Sequence, residues 1–191
     1  LIRRFYDPLP LPADPSLFDR SDAIEVLEDI LPTLPLKHYK NLWDPAIELR
    51  NILNAISRAK DELVGVEGYK ALAQDMLDKA TSDEEIKEAE KCLEVACIYE
   101  HYERVKNKHG AVDFGDLIML PALLLEENMA LKQTVQLRHR HILVDEYQDV
   151  NRASVRLLKA IAGGGQRLWV VGDARQSIYR FRGASSINMV C

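Results

Sequence analysis

Residues 142–150 read ILVDEYQDV, and residues 168–173 read LWVVGD. Each is a short, unbroken apolar run that ends on an acidic residue. Runs of this length, bounded by turn-forming residues, predict buried strands over His141–Val144 and Leu168–Val171. The stretch between them suits a helix, with Asp149 or Asn151 as its cap, apolar residues running to Ala162, and Gly163-Gly164-Gly165 as its end. Strand, helix, strand with continuous apolar strands predicts a parallel βαβ unit. Ligands meet such sheets at the carboxyl ends of the strands. Asp145, Glu146, Gly172 and Asp173 would all lie at that edge.

Those residue types suit nucleotide hydrolysis. Asp145 offers a hard oxygen to Mg2+, an ion that keeps several waters and needs few protein ligands. Glu146 is then placed to orient and deprotonate a water. The competing reading is that Asp145-Glu146 merely caps the next helix. After the second strand, Gly172 gives a tight turn. Gln176 carries a donor and an acceptor in one neutral side chain, suited to sensing a terminal phosphate or the attacking water; a plain polar loop is the alternative. Tyr179 and Phe181, flanked by Arg180 and Arg182, can stack bases and track phosphates, or else pack as core.

DEYQD at 145–149, followed by GDARQSIYRFRGA at 172–184, closely resembles motifs II and III of the UvrD/Rep/PcrA family of superfamily 1 DNA helicases. DFGDL at 113–117 is similar to the DFxDLL signature that precedes motif II in that family. The resemblance implies an α/β fold, in which a helical inserted subdomain is followed by part of a RecA-like, P-loop NTPase-type motor. It implies ATP and Mg2+ as ligands and a 3′ to 5′ DNA translocase as the parent. Asp145, Glu146 and Gln176 would be catalytic. Asp145, Glu146, Gln148, Asp173 and Gln176 would bind nucleotide and metal, and Tyr179, Phe181 and Arg182 would contact single-stranded DNA. Many family members carry Trp where this chain has Phe181. Asp113 is expected as a helix cap, Phe114 and Leu117 as core, and Asp116 as structural.

The order of motifs also implies what is missing. No GxxxxGK[ST] phosphate loop occurs in the chain. In the family that loop lies upstream, and the arginine fingers and second motor domain lie downstream. Together with a first residue that is Leu, this gives the expectation of an internal piece of a longer helicase. Residues 1–6 would end a helix of domain 1A, 7–110 would form the inserted domain 1B, and 111–191 would be the rest of 1A with motifs II and III. Single-stranded or duplex DNA, ATP and the absent helicase domains are the expected partners. Two alternatives stay open: a truncated, non-catalytic DNA- or protein-binding module, and the motor segment of a RecB/AddA-like helicase-nuclease.

The rest of the chain reads as helical. DPLPLPADP at 7–15 holds four prolines and predicts an extended linker. Ser21 or Asp22 caps a helix to Leu31, and Pro32 and Pro35 stop it. Asp44-Pro45 opens the next helix, with a stripe of Ile47, Ile52, Ile56 and Leu63, and Gly65 and Gly68 break it. Tyr69, Leu72, Met76 and Leu77 mark a third helix. Ser82 with Glu85 makes a capping box for a long helix ending near Gly110. A further apolar helix begins after Val112 and is interrupted at Pro121, and a short one covers Ala130–Leu137. No strand signal precedes residue 140.

Composition sets the outer bounds. Of 191 residues 47% are hydrophobic and 29% charged, ordinary for a soluble globular protein. No apolar run approaches the ~20 residues a membrane helix needs, and no signal peptide opens the chain. Three cysteines make no disulfide framework, so a cytoplasmic setting is expected. Cys92 and Cys97 lie on different faces of a helix, and His139 with His141 lacks further ligands, so no metal site is expected from them. Residues 1–110 carry 15 Lys/Arg against 22 Asp/Glu, and residues 111–191 carry 10 against 8. Backbone binding to nucleic acid is driven by cations, which favours the second part for any DNA contact.

Overall fold

The computed structural model describes residues 1–2, 9, 11–40 and 43–173. They separate into two compact units. One contains residues 9–59 and 64–114. The other contains, of the described residues, 1–2, 60–63 and 115–173.

The first unit is built from β1 (Ser16–Leu17), α1 (Arg20–Ile30), α2 (Pro45–Asp61, all but its last two residues), α3 (Val66–Lys79), α4 (Asp83–Lys108) and β2 (Ala111–Val112). A capping box starts α1, but from Asp19, whose carboxylate accepts the Ser21 and Asp22 N–H groups while Asp22 bonds back to the Asp19 N–H. Asp19 outcompetes the expected Ser21 or Asp22 because it reaches two orphan donors from outside the helix. The Ser82–Glu85 box opens α4 as expected. Residues at helical spacing on α1, α2 and α4 meet in one core: Leu27, Ile52, Ile56, Ile98, Tyr99 and Tyr102 are each at most 2% exposed. Each such side chain stabilises the unit by roughly 1.5–3 kcal/mol.

Several expectations are corrected here. Ile47 is exposed, and Leu63 lies beyond the end of α2 at φ 60°, so both leave the predicted stripe. Gly65 is the cap of α3 and Gly68 lies inside that helix. On α3 the buried residue is Ala73, whereas Leu72 and Met76 are exposed. The helix turns the Tyr69–Ala73 side inward, where Tyr69 meets Tyr99 edge-on at 6.2 Å. The unit is also not wholly helical. β1 and β2 pair in parallel, Ser16 with Ala111 and Leu17 with Val112. A two-residue strand is too short to show an alternating pattern. Gly110 sits between α4 and β2 at φ +61°, and a Cβ there would lie 2.9 Å from Pro12 Cγ, so both its conformation and its surroundings call for glycine. Of the proline-rich stretch, residues 9 and 11–15 are described and form neither helix nor strand.

The second unit contains α5 (Asp116–Glu127), α6 (Met129–Arg138), β3 (Ile142–Val144), α7 (Arg152–Ala162) and β4 (Leu168–Val170), together with Lys60 and Asp61 at the end of α2. Pro121 does not interrupt α5. It lies in the second turn, where its missing N–H forfeits a single bond, and the rest of the helix packs against α6 and α7. Leu125, Val135 and Ala160 form a small core with Leu131, Leu157 and Ile161 around them. Arg156 of α7 holds Glu126 of α5 through two bonds of 2.6 and 2.7 Å.

β3 and β4 pair in parallel, with Ile142, Leu143 and Val144 opposite Leu168, Trp169 and Val170. The expectation that both strands are buried is not met. Leu143 is 79% and Trp169 53% exposed, and these two side chains share one face of the pair. No described element of this unit covers that face. His141 stacks on Trp169, with ring centres 5.7 Å apart. No described helix is long and apolar enough to cross a membrane.

Candidate nucleotide site at the strand ends

The two acidic strand ends lie side by side. Beyond the paired residues, the Val171 N–H donates to the Val144 carbonyl at 2.8 Å and the Tyr147 N–H donates to the Val171 carbonyl at 2.9 Å. The ladder therefore continues through the segments that carry Asp145-Glu146 and Gly172-Asp173. All four of these residues are exposed.

Glu146 adopts the left-handed conformation, φ 51° and ψ 42°. An L residue without the freedom of glycine is strained there by roughly 1–2 kcal/mol. Such strain persists only where neighbouring contacts fix it. The turn Tyr147–Asp149 follows at once, closed by the Asp149 N–H donating to the Glu146 carbonyl at 2.9 Å. Neither Asp145 nor Glu146 caps α7. Asp145 Oδ1 accepts the Glu146 N–H at 2.9 Å, and the cap of α7 is Asn151, whose Oδ1 accepts the Ser154 N–H at 2.8 Å. The helix-capping alternative for the Asp-Glu pair is thus removed, and Asn151 rather than Asp149 is the cap.

Gln148 joins the two strand ends. It is 2% exposed. Its Nε2 donates to Glu146 Oε2, and its Oε1 accepts the Asp173 N–H at 2.9 Å. A Cβ on Gly172 would fall 2.6 Å from Gln148 Oε1 and 3.0 Å from the Tyr147 nitrogen. Glycine at 172 therefore makes room for Gln148, beyond any service to a tight turn. Asp145 Oδ2 and Glu146 Oε1 accept no hydrogen bond from the described residues. An exposed carboxylate oxygen of this kind fits Mg2+, which takes hard oxygen ligands and retains water. Gln176, Tyr179, Phe181 and Arg182 lie outside the described residues.

The DFGDL segment is arranged differently from expectation. Asp113 is no helix cap; it accepts from Tyr102 Oη at 3.1 Å, with Lys106 Nζ at 3.6 Å. Phe114 and Leu117 are 48% and 40% exposed rather than core. Asp116 is the buried member, paired with Lys60 at 2.7 Å, so its expected structural role takes the form of an ion pair. Lys60 and Asp61, both buried, carried no local signal. Their partners are distant in sequence, and a charge pair at the end of a helix looks like a solvated surface.

Parallel strands joined by a helix, with carboxylates clustered at their carboxyl ends, define an α/β protein of the class that meets ligands at that edge. The chain belongs to the UvrD/REP helicase N-terminal domain family, whose family model matches residues 1–190. It is similar to the ATP-dependent DNA helicase PcrA of Bacillus subtilis (strain 168), with 34% identity over 190 residues covering 100% of this chain and 23% of the relative. It is also similar to the ATP-dependent DNA helicase Rep of Escherichia coli (strain K12), at 33% identity over 190 residues, covering 100% of this chain and 25% of the relative. The chain thus spans about a quarter of the length of the curated relatives it matches.

Proposed function

We propose that this chain is part of an ATP-dependent DNA helicase or translocase, and that Asp145 and Glu146 belong to its ATP-hydrolysing site. The observation that carries the reading is the junction of the two strand ends: Asp145-Glu146 beside Gly172-Asp173, tied by Gln148. Glu146 orients a water and takes its proton as the water oxygen attacks the terminal phosphorus and the bond to the bridging oxygen breaks. Asp145 would hold Mg2+, which when bound neutralises phosphate charge. Gln148 fixes the Glu146 carboxylate, and Asp173 lies where the second motif begins. Gln176 reads the terminal phosphate, and Tyr179, Phe181 and Arg182 contact single-stranded DNA; these four assignments rest on the motif alone.

In this reading residues 7–110 form the inserted helical domain, 1–6 and 111–191 belong to a RecA-like motor domain, and movement is 3′ to 5′. The division of the described residues into two units supports a two-part organisation, although its boundary falls after Phe114 and residues 60–63 group with the second unit. The reading is also supported by the open face bearing Leu143 and Trp169. Parallel sheets are covered on both faces, so further strands and helices of the complete protein are expected to complete this one.

The test is Glu146→Gln in the complete protein. Shape is kept and the base is lost, so nucleotide binding is retained while turnover falls by roughly 10²–10⁴-fold. Turnover within a few-fold of wild type would assign the base to another residue.

A further inference from the structure

Asn151 does two things with one side chain. Its Oδ1 caps α7 by accepting the Ser154 N–H at 2.8 Å, and its Nδ2 donates to Asp61 Oδ1 at 2.6 Å. Both residues are buried, Asn151 at 3% and Asp61 at 5% exposure. Asp61 is the final residue of α2, and its neighbour Lys60 is paired with Asp116 at the start of α5 at 2.7 Å. The last turn of α2 is therefore anchored twice within this unit. Asn151 also ends the short segment that begins at Glu146. The β3–β4 ladder holds the backbone on both sides of Glu146, through the Val144 carbonyl before it and the Tyr147 N–H after it. On the downstream side the chain runs through one tight turn and Val150 to Asn151.

We infer that Asp61 and Asn151 are positioning residues for Glu146: the pair pins the exit of the turn and so maintains the left-handed conformation that presents the carboxylate. This rests on the hydrolytic role proposed for Glu146. A cap alone would need only the acceptor of Asn151. The donor is spent on Asp61, which lies on a helix remote in sequence from the strand ends. With that bond gone, α7 keeps its cap, but Asn151 loses its tie to α2, and the strained turn can relax toward an ordinary conformation. Misplacement of a reacting group by about 1 Å can cost on the order of 100-fold in rate.

Asn151→Asp in the complete protein separates the two roles. Aspartate caps a helix as well as asparagine does, but it sets a second carboxylate against Asp61. The ATPase kcat should fall roughly ten- to hundred-fold with the KM for ATP little changed. The exchange Asp61→Asn with Asn151→Asp restores donor and acceptor in the opposite sense, and should bring kcat back to within about three-fold of wild type. A single variant that is folded and has wild-type kcat, or an exchange that fails to recover, overturns the inference. Should Asn151→Asp not fold, Asp61→Ala carries the test, because it leaves the cap whole. A kcat lowered more than about five-fold at a temperature where the protein is folded supports the pin, and an unchanged kcat rejects it. Glu146→Gln is assayed in parallel. If it keeps turnover, the role of Glu146 falls and the pin with it; if it loses turnover while Asn151→Asp does not, only the pin falls.

Discussion

Glu146 shows how one residue can be unfavourable for folding and still be fixed by its surroundings. Its left-handed backbone is a local cost, and the ladder, Gln148 and the turn hold it in place. That cost can be measured from unfolding alone, with no activity assay. Glu146→Ala and Glu146→Gly both delete the carboxylate and the bond to Gln148, and they differ in how well they tolerate φ 51°. The glycine variant should therefore be the more stable by about 1 kcal/mol, against its usual disadvantage elsewhere. Chemical unfolding of the two variants decides it. Equal stability, or a more stable alanine, would mean that the turn relaxes once the side chain is gone. The acidic strand end was legible in the sequence because an apolar run stopping on Asp-Glu is a local pattern. The role of Gln148 was not, since its partners become neighbours only when two strands pair, and the space left by Gly172 has no sequence signature of its own.

At the scale of elements, legibility followed length and locality. The long helix α4 and its Ser82–Glu85 box were readable because every participant lies within one turn. The β1–β2 bridge was not, because it joins residues far apart along the chain through two residues each. Pro121 misled for the opposite reason: a local rule for breaking helices yielded to packing of α5 on its neighbours. The Lys60–Asp116 pair makes the same point energetically. It ties the last turn of α2 to the first turn of α5, with side chains 2% and 4% exposed. Lys60→Met takes the ammonium away from the buried Asp116 carboxylate, and breaking a buried pair in this way should lower stability by about 3–5 kcal/mol. Lys60→Met combined with Asp116→Leu removes both charges and keeps volume, and should recover most of the loss. Melting curves of the single and double variants check this. A single variant as stable as wild type would show that other neighbours of Asp116 hold its charge.

For the molecule as a whole, the decisive property is a site that is half assembled. In the function proposed above, Asp145 and Glu146 at the strand ends serve the metal and the water, yet the sequence contains no GxxxxGK[ST] loop to cradle the phosphates. Backbone N–H groups and the lysine of such a loop supply most of the grip on the β- and γ-phosphates, and two exposed carboxylates repel a polyanion unless a cation intervenes. The chain on its own should therefore release no phosphate from ATP above background, with or without single-stranded DNA, even at millimolar Mg2+. The complete protein should turn over ATP under the same conditions. Running both in one steady-state phosphate-release assay, with Glu146→Gln beside each, keeps contamination from passing as activity. DNA-stimulated turnover by the isolated chain that disappears in Glu146→Gln would show that these 191 residues contain a phosphate cradle of a different design.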